Sequence, residues 1–209
     1  RCPGEIMASN PDCRHSLSGW QHRFGEWIER PEEQALLDAA VFFDFRRLYG
    51  TLDVEAALRP VIGQAATNRV FLARLARAGL QFRPPLGFFR QFVVEKSGEH
   101  KDAFDLKKHG TGIVVNLARL FALEAGIGET GTLSRLRLAA GKSSLDPAAA
   151  EELAAAFEYL QSLRLRHQGD QERAGQPRDN FIAPAALSSL ERRHLKDAFH
   201  VIATTQKTV

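Results

Sequence analysis

Along most of the chain apolar residues return every three or four positions, the spacing of helices with one buried face. Over residues 16–28 Leu17, Trp20, Phe24, Trp27 and Ile28 share such a face, and Pro31 closes the element. Two segments nearby read differently. Residues 5–8 form a short strand candidate, and residues 35–45 make a compact apolar run that becomes more strand-like toward Val41, Phe42, Phe43 and Phe45 before Tyr49-Gly50 breaks it. Two short strands do not make a stable sheet alone, so residues 1–50 read as the edge of a mixed α/β domain whose other strands are missing.

Beyond Gly50 the pattern is helical. Asp53 is placed to cap a helical region reaching about Leu80, with Pro60 kinking or dividing it. Pro84-Pro85 interrupts regular structure, Phe88, Phe89, Phe92, Val93 and Val94 form an aromatic-rich connector, and residues 98–101 form a turn. Residues 111–125 carry apolar side chains almost all round, which marks the most buried helix. Thr132 is a cap for a short helix through Ala140, and Asp146-Pro147 is a strong start signal. The helix that follows turns Leu153, Ala156, Phe157, Leu160 and Leu163 inward, with Gly169 ending it and residues 168–179 as a polar loop. A last helix begins near Pro184 and presents Leu187, Leu190, Leu195, Ala198, Val201 and Ile202 on one side. The predicted fold is mainly α, an antiparallel up-and-down helix bundle with a small N-terminal α/β remnant.

Polar groups at the ends and faces of these helices are the candidates for function. Leu163-Arg164-Leu165-Arg166-His167-Gln168 ends a core-forming helix in cations that suit either an anionic ligand or the negative end of the helix dipole, the latter worth about 0.3–1 kcal/mol. Arg164 and His167, three apart, share a face that Arg166 does not. Asp44 and Arg46 either project from a strand end toward a cleft or pair locally. Asp105, Lys107, Lys108 and His109 precede the buried helix, where Asp105 or Thr111 can satisfy free backbone N–H groups. Arg119 stands on an otherwise apolar helix and needs a partner, for which Asp105 is a candidate.

Composition narrows the function. With 209 residues, 44% hydrophobic and 25% charged, the chain is an ordinary globular one. Its 28 basic and 25 acidic residues are interspersed, so a net charge of +3 and a pI near 9.1 mark no nucleic-acid stripe. The phenylalanines sit at core-like positions rather than on a base-stacking platform. Cys2 and Cys13 form no CxxC pair, no secretory leader precedes them, and no apolar run approaches the roughly 20 residues that span a bilayer, which points to the cytoplasm. The opening Arg1-Cys2-Pro3-Gly4 has neither initiator methionine nor targeting pattern and reads as the interior of a longer polypeptide.

Catalytic motifs are missing or misplaced. Gly126-Ile127-Gly128-Glu129-Thr130-Gly131 spells GxGxxG but follows a helix, and Gly141-Lys142-Ser143 has Leu136 where a P-loop has its first glycine. HExxH, GxSxG and D-x-D do not occur. The segment alone is expected to make no bonds.

Six stretches in order, Met7-Ala8-Ser9-Asn10-Pro11, Phe42-Phe43-Asp44-Phe45-Arg46, Asp105-Leu106-Lys107, Leu117-Ala118-Arg119, Leu163 to Gln168 and Asp179-Asn180, resemble the putative nucleotidyltransferase substrate-binding domain family. Such domains occur in bacterial signalling proteins beside CBS or cyclic-nucleotide-binding modules, with a catalytic core similar to that of PII-protein uridylyltransferases. The resemblance implies that residues 1–50 are the tail of a nucleotidyltransferase domain and residues 51–209 a helical substrate-binding domain. It implies a parent that uses magnesium and a nucleoside triphosphate, with its catalytic aspartates before Arg1 and no cofactor in this segment. Residues 43–50 also resemble an E-x-R-x-x-x-G element, with Asp44 in the glutamate position. Substrate contacts are expected from Asp44, Arg46, Asp105, Lys107, Arg119, Arg164 and His167. Partners implied are the upstream core, the sensor modules, a PII-like acceptor protein and a second copy of the chain, without membrane or nucleic acid. The competing expectation is a noncatalytic regulatory or dimerisation module that couples a sensor to an effector.

Overall fold

A computed structural model describes residues 9–87 and 91–209. The strand expected at residues 5–8, and Phe88 and Phe89 of the aromatic connector, lie outside them. The described residues are mainly helical, with eight α-helices and one two-stranded sheet, and the chain divides into two compact units, Arg1–Leu75 and Ala76–Val209.

In the first unit α1 (Leu17–Glu29) starts where Ser16 Oγ accepts from the Gly19 amide at 3.1 Å, and it buries Phe24, Trp27 and Ile28. The run expected to turn into strand is instead helix, α2 (Glu33–Phe42), and among the described residues of this unit there is no strand. The reason is periodicity: Leu36, Ala39 and Phe43 are buried at helical spacing while Leu37 and Val41 face outward, so one helical stripe satisfies the core and alternation would not. Phe43 closes on Phe24 and Phe71 at ring separations of 5.0 and 6.3 Å. Asp53 caps α3 (Val54–Gly63) through the Ala56 amide at 3.0 Å. Pro60 lies within α3, which gives way to a 3-10 turn at Gln64–Thr67 before α4 (Arg69–Gly79). Asn68 begins α4 by accepting from the Phe71 amide, and its Nδ2 donates to the Ile28 carbonyl at 2.8 Å, which ties α4 to α1.

The second unit is built on α5 (Gly112–Glu124), α6 (Thr132–Ala139), α7 (Pro147–Arg173) and α8 (Ser189–Thr205), with each successive pair in contact. Its core runs through Leu106, Ile113, Phe121, Leu136, Leu153, Leu160, Leu195 and Phe199, all nearly inaccessible. Helix α5 ends in a Schellman motif: Gly126 sits at φ 67°, and the Gly126 and Ile127 amides donate to the Leu123 and Ala122 carbonyls. The first glycine of the GxGxxG string thus serves a helix end. Gly131, rather than Thr132, occupies the N-cap of α6, whereas Asp146 caps α7 as expected. Near Pro184 the chain makes only a 3-10 turn, and α8 starts at a capping box formed by Ser188 and Glu191.

Two features depart further from expectation. Gly169 does not end α7, which runs on to Arg173 and stops in a second Schellman motif at Gly175, φ 66°. A Cβ at Gly169 would meet nothing within 4 Å. Ahead of α5, Lys107–Thr111 form a π-helical turn in which the Gly112 amide donates to the Lys107 carbonyl. A Cβ at Gly112 would lie 2.7 Å from that carbonyl oxygen, and one at Gly110 would press on Leu106, Leu160 and Phe199. The sheet consists of β1 (Phe104–Asp105) antiparallel to β2 (Phe181–Ile182), with Phe104 opposite Ile182 and Asp105 opposite Phe181.

These glycines make opposite predictions. Gly169→Ala is expected to stabilise the chain by about 0.5–1 kcal/mol, because a helix-interior glycine carries extra unfolded-state entropy. Gly112→Ala is expected to destabilise it by about 1–3 kcal/mol, the cost of a clash that backbone must move to relieve. Urea unfolding of both variants checks the pair, and a destabilised Gly169→Ala would mean that α7 does not continue through this position.

Candidate functional site

The second half of α7 projects a row of polar side chains onto the segment that returns from Gly175 to β2. Arg164 Nε donates to Asn180 Oδ1 at 2.6 Å, and its Nη1 reaches Gln161 Oε1 at 3.3 Å. One turn later His167 Nε2 is 2.9 Å from Asp179 Oδ1. Gln168 Nε2 donates to the Asp179 carbonyl at 3.0 Å and to Asn180 Oδ1 at 3.2 Å, while Gln171 Oε1 accepts from the Asp179 amide at 3.0 Å. Asp179 Oδ1 also takes the Phe181 amide at 2.9 Å, and the Asn180 carbonyl takes the Leu106 amide at 2.8 Å. Arg164, His167 and Gln168 of the Leu163–Gln168 run therefore hold Asp179 and Asn180, and the Asn180 carbonyl joins that segment to the residue after β1.

Asp179 is electrostatically central. Partial burial disfavours its charge, but hydrogen bonds from His167, the Phe181 amide and Gln171, with the His167 charge added, outweigh that and hold its carboxyl below the usual aspartate value. Arg166, on the neighbouring face, pairs with Glu191 of α8. The backbone and hydroxyl of Ser188, together with Arg166, keep the Glu191 carboxyl low. Burial, with Glu191 behind it, pushes up the Tyr159 hydroxyl, which donates to the Glu191 carbonyl at 2.9 Å.

Between α7, β2 and the start of α8 lies a cleft of about 320 Å³ lined by Arg166, His167, Asp170, Phe181, Leu187 and Glu191 among others. Arg166 and His167 thus share this cleft, and Arg164 is outside its lining. Its lining sets Arg166 and His167 beside Asp170 and Glu191, with Phe181 and Leu187 as apolar wall.

The other candidates fall elsewhere. Asp105 lies in β1, beside the clamped segment, and its Oδ1 accepts from the Lys108 amide at 2.9 Å. The expected pairing of Asp105 with Arg119 is not made: Arg119 Nη1 donates to Asn116 Oδ1 at 3.2 Å on its own helix. Arg119 is half-buried, and its Nε finds no hydrogen-bond partner among the described residues. Lys107 is exposed at the start of the π-helical turn. Asp44 and Arg46 belong to the first unit, in the bend and coil after α2 rather than at a strand end, with Asp44 half-buried and Arg46 exposed. Their neighbour Phe45 is held by Arg59, whose guanidinium lies 4.7 Å above its ring and donates to its carbonyl.

Sequence reasoning missed Gln171 and the buried Arg135, whose Nε donates to the Glu129 carbonyl at 2.7 Å and secures the α5–α6 loop. The available signal for Arg135 was its helical register with Leu136 and Ala139, which puts it on a buried face. Among the described residues no three His, Cys, Asp or Glu side chains converge as a metal ligand set. These residues do not by themselves fit a magnesium centre. No described helix is long and apolar enough to cross a membrane.

Residues 69–209, α4 to the end of the chain, match the family described as "Putative nucleotidyltransferase substrate binding domain". The chain belongs to that family. Residues 1–34, which include α1, match "Putative nucleotidyltransferase DUF294". No curated protein and no solved structure matches the chain. In this substrate-binding domain family member, then, the polar run of α7 and its clamp on Asp179-Asn180 lie within the part that defines the family.

Asp179→Asn keeps the acceptor for the Phe181 amide but removes the charge facing His167, and it is expected to cost about 1–2 kcal/mol at pH 7. Because the folded carboxyl titrates below its ordinary 3.8, that stability is present in full above this value and is lost as pH falls through the lower folded value. Chemical unfolding of both proteins between pH 7 and pH 2 checks this, and a gap that stayed constant into acid would exclude the charge as its source.

Proposed function

We propose that this chain is the helical substrate-binding portion of a uridylyltransferase-like nucleotidyltransferase in bacterial signal transduction. It binds or orients the nucleotide or an acceptor protein of the PII-like kind, and a nucleotidyltransferase core supplies the catalytic carboxylates. The observation that carries this reading is the order of the two matches along one chain, nucleotidyltransferase at residues 1–34 and substrate-binding domain at residues 69–209. In the transfer itself an acceptor oxygen attacks the α-phosphorus, the bond to the β-phosphate breaks, and pyrophosphate leaves. Residues of this chain act before that step, by holding a partner in place.

The test is transfer by the full polypeptide, given magnesium and each α-labelled nucleoside triphosphate in turn with a PII-like acceptor. Label from UTP is expected on the acceptor, with binding of UTP to the present chain visible by calorimetry. No label from any nucleotide, together with a stable oligomer, would overturn the proposal in favour of a regulatory or dimerisation module.

A further inference from the structure

Helix α7 has 27 residues and is about 40 Å long at 1.5 Å per residue, and one of its faces is turned to solvent. At 3.6 residues per turn, Glu151, Glu158, Leu165, Arg166 and Arg173 lie within about 60° of Ser162 around the helix, and all six are exposed. Leu165, at 64% exposure, is the most exposed large apolar side chain among the described residues of the second unit. Beside it α6 and α7 leave a groove of about 620 Å³, with Leu133 and Phe157 as apolar wall and Gln161, Ser162 and Leu165 along it. The two charged residues of its lining, Glu158 and Arg166, stand four positions to either side of Ser162.

We propose that this face of α7 joins a second copy of the chain in an antiparallel, two-fold symmetric pair centred on Ser162. In such a pair a residue a given number of positions before Ser162 lies level with the residue the same number after it in the other copy. Glu158 then meets Arg166 of the second copy, and Glu151, eleven positions before the centre, meets Arg173, eleven after it. Leu165 of each copy comes level with Tyr159 of the other, in the stretch from Phe157 to Gln161 that lines the groove, so each copy offers the apolar side chain that the other lacks. Ala155 and Gly169, seven positions to either side of the centre, oppose each other and add little bulk between the helices.

The sign pattern selects this occupant. A parallel pair in register would set Glu158 against Glu158 and Arg166 against Arg166, whereas acids before one residue and arginines after it are self-complementary, as a two-fold interface demands of a single surface. Neither charge is spent within its own chain. Arg137 stands 3.9 Å from Glu158 and Arg166 pairs with Glu191 through one nitrogen, yet the Glu158 and Arg166 side chains remain 56% and 54% exposed. A guanidinium has five N–H donors and can serve a second carboxylate.

Sedimentation of the chain at roughly 50 μM tests the interface. Wild type is expected to be dimeric. Leu165→Glu, at a position that faces solvent in the single chain, is expected to associate at least about tenfold more weakly with its helical circular dichroism unchanged. In a background with Cys2 and Cys13 replaced by serine, Ser162→Cys is expected to form an interchain disulfide on mild oxidation faster than Lys207→Cys, on the exposed turn after α8, because the two-fold axis brings the two sulfurs together. A monomeric wild type, association of Leu165→Glu within about twofold of wild type, or equal cross-linking of the two cysteine variants would overturn the interface. The interface stands apart from the transferase reading: a dimer whose parent transfers no label would sink that reading alone, and a monomeric chain from an active parent would sink the interface alone.

Discussion

The segment Asp179-Asn180-Phe181-Ile182 has little regular structure of its own, only two residues of strand, and the second unit depends on how it is held. Four side chains of α7, Arg164, His167, Gln168 and Gln171, grip it at successive turns. Each such bond contributes about 0.5–1.5 kcal/mol net, and more where a charge is involved. The consequence is long-range. With Asp179 and Asn180 fixed, the Asn180 carbonyl and β2 meet the Leu106 amide and β1, so the end of α7 is tied to the start of the turn that leads into α5. The ring of His100 stacks on Phe181 at 3.5 Å and covers the same junction.

That constraint also shapes where function can lie. Side chains spent on the clamp orient the walls of the neighbouring cleft, and Arg166, Glu191 and Asp170 complete those walls from α7 and α8. The π-helical turn follows β1 in the chain and is seated on Leu160 of α7 and Phe199 of α8 through Gly110. The turn carries an extra residue, and the glycines at 110 and 112 give it the close approach to Leu106, Leu160, Phe199 and the Lys107 carbonyl that a Cβ would obstruct.

Local signals were readable where one residue settles the outcome. Asp53 and Asp146 cap the helices they precede, Pro31 lies just beyond the end of α1, and the GxGxxG string is a loop between helices because nothing ahead of it is strand. Misjudgements arose where two local rules competed. Apolar density around Val41 to Phe45 suggested strand, yet the buried positions follow helical spacing. Gly169 suggested an end, yet a glycine is tolerated inside a helix whose later residues gain contacts, and Gln171 beyond it belongs to the clamp. Of the candidate site, Arg164 and His167 were legible as polar residues on one helix face, but their partners were not. Asn180 and Asp179 follow sixteen and twelve residues later, and a hydrogen bond across that distance leaves no periodicity.

By itself the sequence determined the helical class of the chain, most helix starts, the buried faces and the family, because propensity, capping and apolar spacing act over a few residues and do not depend on distant neighbours. Tertiary structure alone decided that the Leu163–Gln168 run holds the segment that returns to β2, that Arg119 donates to Asn116 and does not pair with Asp105, and that Lys107 to His109 form a π-helical turn beside Phe82. Those outcomes depend on which polar groups meet once the helices have packed, and a buried or clamped polar group takes whatever partner the packed core brings within about 3 Å.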